Sequence, residues 1–190
     1  MVSKSKMDVY IALIRGVNVG GKNKVPMAEL RACLEKEGFS HVSTYLATGN
    51  VILASDKKAT DIRALIETAV AGNFALDDGL VRVLVLTRDQ FAAVVDNKPE
   101  GFGDEAKKYR YDALFLMDLE AGQAMSVVNP REGVDKAWPS EKVIYWQRLS
   151  SQLTKSRLSR IVGTPEYKYI TVRSWNTAIR LLEKAERLAC

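Results

Sequence analysis

Apolar positions along this chain change spacing repeatedly, and each change marks an element. Asp8 to Ile14 is apolar and β-branched, which predicts a strand. A glycine-rich segment follows, then Pro26 at the expected first position of a helix, where a missing N–H costs nothing. Met27, Leu30 and Leu34 recur at helical spacing, with Gly38 as the C-terminal stop. Val42 to Ala47 and Asn50 to Ala54 predict a hairpin turning at Thr48-Gly49. Thr60 is placed to cap a second helix, whose apolar stripe is Ile62, Leu65, Ile66, Ala69 and Val70. Leu80 to Leu86 is almost wholly apolar and reads as a central strand. The order β-α-β-β-α-β is the ferredoxin-like split βαβ pattern, with helices on one face of an antiparallel sheet.

The second half repeats neither this order nor any fixed sequence period. It opens on Thr87-Arg88-Asp89-Gln90, a capping box ahead of the apolar face Phe91, Val94 and Val95. Lys98 to Arg110 is polar and glycine-containing, which predicts a linker or mobile loop. Tyr111 to Met117 is a strand, and Leu119 to Val128 a short helix closed by Asn129-Pro130. Val134 to Trp138 and Lys142 to Gln147 predict a second hairpin around Pro139-Ser140. Leu153 to Val162 reads as a short basic helix ended by Gly163, and Tyr169 to Arg173 as the last strand. Ser174 caps a final helix with the stripe Trp175, Ala178, Leu182 and Ala185. The expected division is a flexible N-terminus over 1–7, an N-terminal subdomain over 8–90 and a C-terminal α+β subdomain over 91–190.

Composition narrows the class without naming a chemistry. The 190 residues are 47% hydrophobic and 27% charged, an ordinary globular balance with enough apolar material for a core. No stretch approaches the roughly 20 apolar residues of a membrane span, and the lead MVSKSKMDVYIALIRG meets Arg15 too early for a secretory signal. The two cysteines, Cys33 and Cys190, form no disulfide or metal-ligand pattern. A soluble protein of the reducing cytoplasm is expected. Net charge is +5, and it is uneven: residues 131–190 hold 12 Lys and Arg against 6 Asp and Glu. Such asymmetry suits an anionic partner, and equally a surface kept soluble by its lysines.

Three segments are candidates for chemistry. The first is Arg15 to Lys24, RGVNVGGKNK, a basic loop with no acid between Val9 and Ala28. Gly16, Gly20 and Gly21 let backbone N–H groups approach an anion, with Arg15, Asn18, Lys22 and Lys24 around it. The run G-x-x-x-x-G-K-N stops one residue short of a P-loop: the Ser or Thr hydroxyl that holds magnesium is missing, the helix starts late and the topology is antiparallel. The same glycines also suit a long structural connection with tight turns. The second segment is Thr154-Lys155-Ser156-Arg157, with Arg160 beside it. The third is the strand-to-helix junction at Thr171 to Thr177, where a helix N-terminus next to Arg173 favours an anion; Arg173 facing solvent is the plainer alternative. His41 is the sole histidine and no nucleophile-base pattern surrounds it. The paired acids Asp77-Asp78 and Glu35-Glu37 read as turn and helix-end residues, and no spacing supports a metal site. The aromatics Trp138, Tyr145, Trp146, Tyr167 and Tyr169 alternate with basic residues, and packing is favoured over base stacking.

With these residues in view, the chain resembles a bacterial family known as domain of unknown function 1697. The resemblance runs through RGVNVGGKNKVPMAELR, TGNVIL, TKSRLSR and TVRSWNT; the family pattern has Asn where this chain has Ser174. It implies an α+β fold of two subdomains, each related to the ferredoxin-like arrangement, and brings no activity, cofactor or catalytic residue. The leading expectation is recognition of a phosphate-bearing ligand such as a nucleotide, by Arg15, Gly16, Asn18, Gly20, Gly21, Lys22 and Lys24. Lys155, Ser156, Arg157, Arg173 and Asn176 are expected to complete the site if the halves face each other. The alternatives are a protein-interaction module or homodimer, and a nucleic-acid binder whose affinity falls steeply with salt.

Overall fold

The computed structural model describes residues 7–77 and 81–188. The chain divides into two compact units, Met1–Ala92 with Leu181–Cys190, and Ala93–Arg180. The residues expected to form a flexible start, apart from Met7, lie outside the described range, as do Asp78, Leu80 and Cys190.

The first unit builds one antiparallel sheet from β1 (Asp8–Arg15), β2 (Ser40–Tyr45), β3 (Asn50–Ser55) and β4 (Arg82–Thr87), in the order β2-β3-β1-β4. Helices α1 (Met27–Lys36) and α2 (Ala59–Asn73) are the crossovers, giving the β-α-β-β-α-β order read from the sequence. Alternation sets the faces. Tyr10, Ala12 and Ile14 of β1 point to the helices and pack with Leu30 and Leu34 of α1 and Ile62, Ile66 and Val70 of α2. Ile11, Leu13 and Ile52 point the other way and are also buried. The far half of α5 (Trp175–Leu188) lies on that second face, where Lys184 Nζ is 5.4 Å from the Tyr45 ring. Two buried faces explain why β1 and β3 read as continuous apolar runs.

Several local expectations shift. β4 is an edge strand, not a central one, because β1 takes the middle between β3 and β4. Its apolar run reports a buried helix-facing side (Val83, Val85) and a partly buried second side (Leu84, Leu86) rather than position in the sheet. Pro26 is the residue before α1, in extended conformation, not the first helical one. Thr60 does not cap α2, which starts one residue earlier behind Lys58 without a side-chain cap. The hairpin turns through residues 46–49 rather than through two, with Leu46 at φ 55° and Gly49 at φ 72°. Only glycine fits at position 49: a Cβ there would stand 2.6 Å from the Ile14 carbonyl oxygen.

The second unit repeats the strand order. β5 (Tyr109–Leu116), β6 (Asp135–Pro139), β7 (Val143–Leu149) and β8 (Ile170–Ser174) form an antiparallel sheet in the order β6-β7-β5-β8. Helix α4 (Ala121–Val128) is the first crossover, ended by Asn129 in the left-handed region. The second crossover is not the expected basic helix. It is three 3-10 segments, Ser150–Lys155, Leu158–Gly163 and Pro165–Tyr169, interrupted at Ser156-Arg157. The order of elements is thus as regular as in the first unit, although its sequence did not look so.

One sheet face here is aliphatic around Trp146, packing Leu114, Ile144 and Ile170 on α4 and the 3-10 segments. The other is aromatic. The Phe102 ring sits 4.9 Å from Tyr111, 5.9 Å from Trp138, 5.4 Å from Tyr145 and 5.1 Å from Trp175, always edge-on. Edge contacts of this kind add to the burial each ring already gains. Phe102 belongs to the stretch expected as a linker or mobile loop. It is instead the anchor of a packed turn, and Tyr109 and Arg110 already belong to β5.

Both units close on a capped helix. Thr87 Oγ1 accepts from Gln90 N at 3.1 Å while Thr87 N donates to Gln90 Oε1 at 3.0 Å, a complete capping box opening α3 (Arg88–Asp96). Ser174 Oγ accepts from Thr177 N at 3.3 Å and opens α5. All four stripe residues of α5 are buried.

Candidate functional site

The glycine-rich loop is a miniature hairpin. Asn18 N donates to Asn23 O at 2.9 Å, and Lys22 N to Val19 O at 3.0 Å. The two residues between, Gly20 and Gly21, have φ of 59° and 77°, the pattern of a type I′ turn. Two asparagines in the left-handed region hold it from behind. Asn18 Nδ2 donates to Val25 O at 2.9 Å and to Ala47 O at 2.7 Å, and its Oδ1 accepts from Val25 N at 2.8 Å. Asn23 Nδ2 donates to Gly16 O at 3.0 Å, while its Oδ1 accepts from Asp77 N at 2.7 Å. Both N–H groups of the Asn18 amide are therefore engaged inside the protein, and the residue is a strut of the loop rather than a group held ready for a ligand.

At the tip, Gly20, Gly21, Lys22 and Lys24 are exposed, and the N–H groups of Gly20 and Gly21 have no partner among the described residues. Lys22 Nζ lies 3.6 Å from Asp77 Oδ2, an exposed pair of small energetic weight. Arg15 and Gly16 are half-buried at the root of the loop, at the end of β1. The loop folds back on itself and α1 begins only at Met27, so the helix does not follow directly on the glycines as a P-loop requires. The partial P-loop match has no structural counterpart.

The basic residues of the second unit do not form one cluster. Arg173 sits on β8 on the aromatic face, mostly buried, with Nη1 donating to Thr171 Oγ1 and to Val172 O, each at 2.8 Å. It does not face solvent. Burial pulls its guanidinium down to about 10, which still leaves it charged at neutral pH. Lys155, Ser156 and Arg157 lie against the opposite, aliphatic face, at the break between the first two 3-10 segments. Ser156 is buried, its Oγ accepting from Leu158 N at 3.2 Å. Arg157 Nη1 donates to Asn129 Oδ1 at 3.0 Å, and Lys155 O accepts from Arg131 Nη1 at 3.4 Å. Asn176 is exposed in the first turn of α5. The sheet itself separates Arg173 from the 155–157 group, because β-strand side chains alternate in direction.

Sequence reading missed a buried polar group on that aliphatic face. Register places Asp135, Arg148 and Arg110 in one row across β6, β7 and β5, and Ala137, Trp146 and Asp112 in the next. Asp112 and Asp135 are buried, and Trp146 is fully so. Arg148 Nη2 stands 2.7 Å from Asp112 Oδ2, close enough for strong attraction but not aligned for a hydrogen bond. Burial pushes the Asp112 carboxyl up, against the opposing pull of Arg148 and Arg110. Asp135 Oδ2 accepts from Arg131 N at 3.1 Å and Arg157 N at 2.9 Å, tying the 3-10 strap to the sheet. Asp112 Oδ2, Asp135 Oδ1, Trp146 Nε1 and Arg148 Nε have no hydrogen-bond partner. An orphaned buried polar group costs about 1–3 kcal/mol, so four together need an explanation. The alternation of Asp112 and Arg148 with apolar neighbours was the available signal, and it reads on paper as ordinary surface pairing.

A cavity of about 550 Å3 opens at one end of the first unit's sheet, lined by Asp8, Val9, His41, Ala54, Thr87 to Asp89 and Leu188. His41 has φ 52° at a bulge in β2. The cavity sets the sole histidine near two acids but gives it no nucleophile, since Thr87 Oγ1 already serves the helix cap and Arg88 holds Asp89 at 2.8 Å. Cys33 is buried, and burial pushes its thiol up, away from a reactive thiolate. Among the described residues no group of three or more His, Cys, Asp or Glu is placed to hold a metal ion, and no helix is long and apolar enough to cross a membrane.

A family model described as protein of unknown function (DUF1697) matches residues 7–145, most of the chain. The chain belongs to the DUF1697 family. The match includes the whole glycine-rich loop and its asparagine struts, so the family region contains the first unit's candidate site; the 155–157 group and Arg173 lie beyond it. Among solved structures, this DUF1697 chain is similar to the conserved bacterial protein SP0830 from Streptococcus pneumoniae. The TM-score is 0.81 at 26% sequence identity, covering 95% of this chain and 99% of that one. The likeness therefore extends over both units. Comparison with curated proteins gives no match.

Proposed function

We propose that this DUF1697 protein is a cytoplasmic recognition protein whose glycine-rich tip binds a phosphate-bearing or other anionic ligand. The observation that supports this is the pair of unpartnered N–H groups at exposed Gly20 and Gly21, flanked by exposed Lys22 and Lys24 on a loop already held in shape by Asn18 and Asn23. A preformed donor pair loses little ordering entropy when an anion arrives. The basic excess of residues 131–190 supplies a long-range attraction for the same class of ligand. The test is a low-salt titration of the protein with ATP and with a single-stranded oligonucleotide, followed by amide NMR. The expected result is a saturable shift of the Gly20 and Gly21 amides, with Lys22→Glu plus Lys24→Glu weakening binding by about tenfold or more. If neither probe moves those amides in the wild type, the reading is wrong. A steep loss of affinity with salt for the oligonucleotide alone assigns the ligand to nucleic acid.

Exposed Val19 and Leu46 support a second reading. Their relative exposures are 62% and 55%, and the loops that carry them are joined by the Asn18 to Ala47 hydrogen bond. A partner protein covering these side chains would use the tip as an interaction surface. Light scattering that gives a dimer mass, lowered to a monomer by Val19→Ser plus Leu46→Ser, is the expected outcome under this reading.

A further inference from the structure

We propose that the end of the aliphatic sheet face in the second unit, around Asp135, Trp146 and Arg148, is a binding site for a compact neutral group with both hydrogen-bond acceptors and an N–H donor, the edge of an amide or a pyrimidine. The site is distinct from the glycine-rich tip and does not depend on it.

Three observations converge. First, the orphaned atoms on this face are complementary: Trp146 Nε1 and Arg148 Nε can donate, and Asp135 Oδ1 and Asp112 Oδ2 can accept. Second, the residues that carry them are neighbours in the sheet. Asp135 stands opposite Arg148 on paired strands, and Trp146 lies one residue pair further along β7 on the same face. Third, Asp135 and Trp146 are held in place by other contacts. Asp135 Oδ2 is fixed by the Arg131 and Arg157 amides, and the Trp146 ring is locked in the aliphatic core. Fixed, buried, unpartnered polar atoms on one patch are what a preorganised polar subsite offers before its guest arrives.

The charge balance selects a neutral guest. Asp112 already has Arg148 within 2.7 Å, so an added full charge of either sign would disturb a pair that is mostly out of water. A carbonyl oxygen facing Trp146 Nε1 and Arg148 Nε, with an N–H facing Asp135 Oδ1, would satisfy those three atoms, add no charge and leave Asp112 Oδ2 to its ion pair with Arg148. Entry runs through the strap. Ser150–Lys155 and Leu158–Gly163 are 3-10 segments with a break between them, where the first unit has the continuous helix α2. Short 3-10 runs have poorer hydrogen-bond geometry than an α-helix and open more readily.

The test uses the indole N–H signals of Trp138, Trp146 and Trp175, with the Trp146 signal assigned by its loss in Trp146→Phe. The full chain is titrated separately with acetamide, for a side-chain or peptide amide, and with uracil and cytosine, for a nucleobase. A saturable shift of the Trp146 indole signal, with Trp138 and Trp175 unmoved, is the expected result, and the probe that produces it identifies the source. Arg148→Lys keeps the charge beside Asp112 but removes the Nε donor, and it is expected to weaken that probe by about tenfold. If no probe moves the Trp146 signal, or if the indole N–H shows only a bound water that no probe displaces, the site is structural hydration and the proposal falls.

Discussion

Both units run strand, helix, two strands, crossover, strand and closing helix, and both order their strands second, third, first, fourth, yet they are held together differently. The first unit satisfies its irregular backbone with side-chain amides: Asn18 and Asn23 supply the partners that a hairpin in a long loop would otherwise lack. Its crossovers are full helices on an aliphatic core. The second unit replaces one crossover with 3-10 segments, gathers four aromatic rings around Phe102, and leaves polar atoms on its other face without partners. The same topology thus tolerates two solutions. A continuous helix closes one sheet, while a broken strap tied through Asp135 covers the other. The difference teaches that strand order is set by the sheets and their apolar faces, and that the connections are free to carry function.

Substitutions that strike one solution at a time sharpen this comparison. The largest effect is expected at Phe102→Ala, which removes the ring on which the aromatic face converges; loss of about 3–5 kcal/mol in urea unfolding is expected. A loss below about 1 kcal/mol would mean that the cluster is incidental to the second unit. In the first unit, Asn18→Ala leaves Val25 N and two carbonyls without their partner, and a loss of about 2–3 kcal/mol is expected in the same measurement. Preserved stability there would break the contrast, because the loop would then hold itself. Tyr145→Phe removes a 2.7 Å hydrogen bond to Val94 O and should cost about 1 kcal/mol at neutral pH. It has a pH signature as well. Burial pushes the Tyr145 hydroxyl up to about 12, so the folded protein keeps this proton while the unfolded chain loses it near 10. Stability therefore falls as pH rises from 10 to 12, and Tyr145→Phe should flatten that part of the curve.

Smaller effects test the helix starts that the units share. Thr87→Ala and Ser174→Ala should each cost about 1 kcal/mol, since each hydroxyl caps the helix that follows its unit's last strand. Thr60→Ala should stay within about 0.5 kcal/mol, because α2 begins without it. A Thr60 effect as large as that of Thr87 would put the start of α2 elsewhere.

The chain discloses its regular parts well. The Thr87 to Gln90 box, the Ser174 cap and the stripes of α2 and α5 are local patterns with local causes, and they lie where spacing puts them. What the sequence hides depends on distant partners. Thr60 looks like a cap because the pattern rule cannot see that Lys58 already precedes the helix. Lys98 to Arg110 looks mobile because its polar residues outnumber Phe102, although that single ring fixes the turn. The 153–162 segment has helical spacing but breaks at Ser156-Arg157, where the Arg157 amide is drawn to Asp135, 22 residues away. For the candidate site, the glycines and lysines of the loop were legible, but the inward role of Asn18 was not, because its partner Ala47 lies in another loop. Arg173 and Arg157 are both basic and both near the C-terminal end, and only strand alternation reveals that a sheet stands between them.

The closing helix has a consequence for the order in which the protein is made. From Leu181 onward, α5 belongs to the unit that begins with β1, so that unit contains the earliest and the latest of the described residues. Its sheet can pair as soon as β4 leaves the ribosome, but the face carrying Ile11, Leu13 and Ile52 waits until translation has passed α5. During that interval an apolar surface is open to the cell. A nascent chain stalled before Leu181 should therefore engage chaperones that the full-length chain escapes.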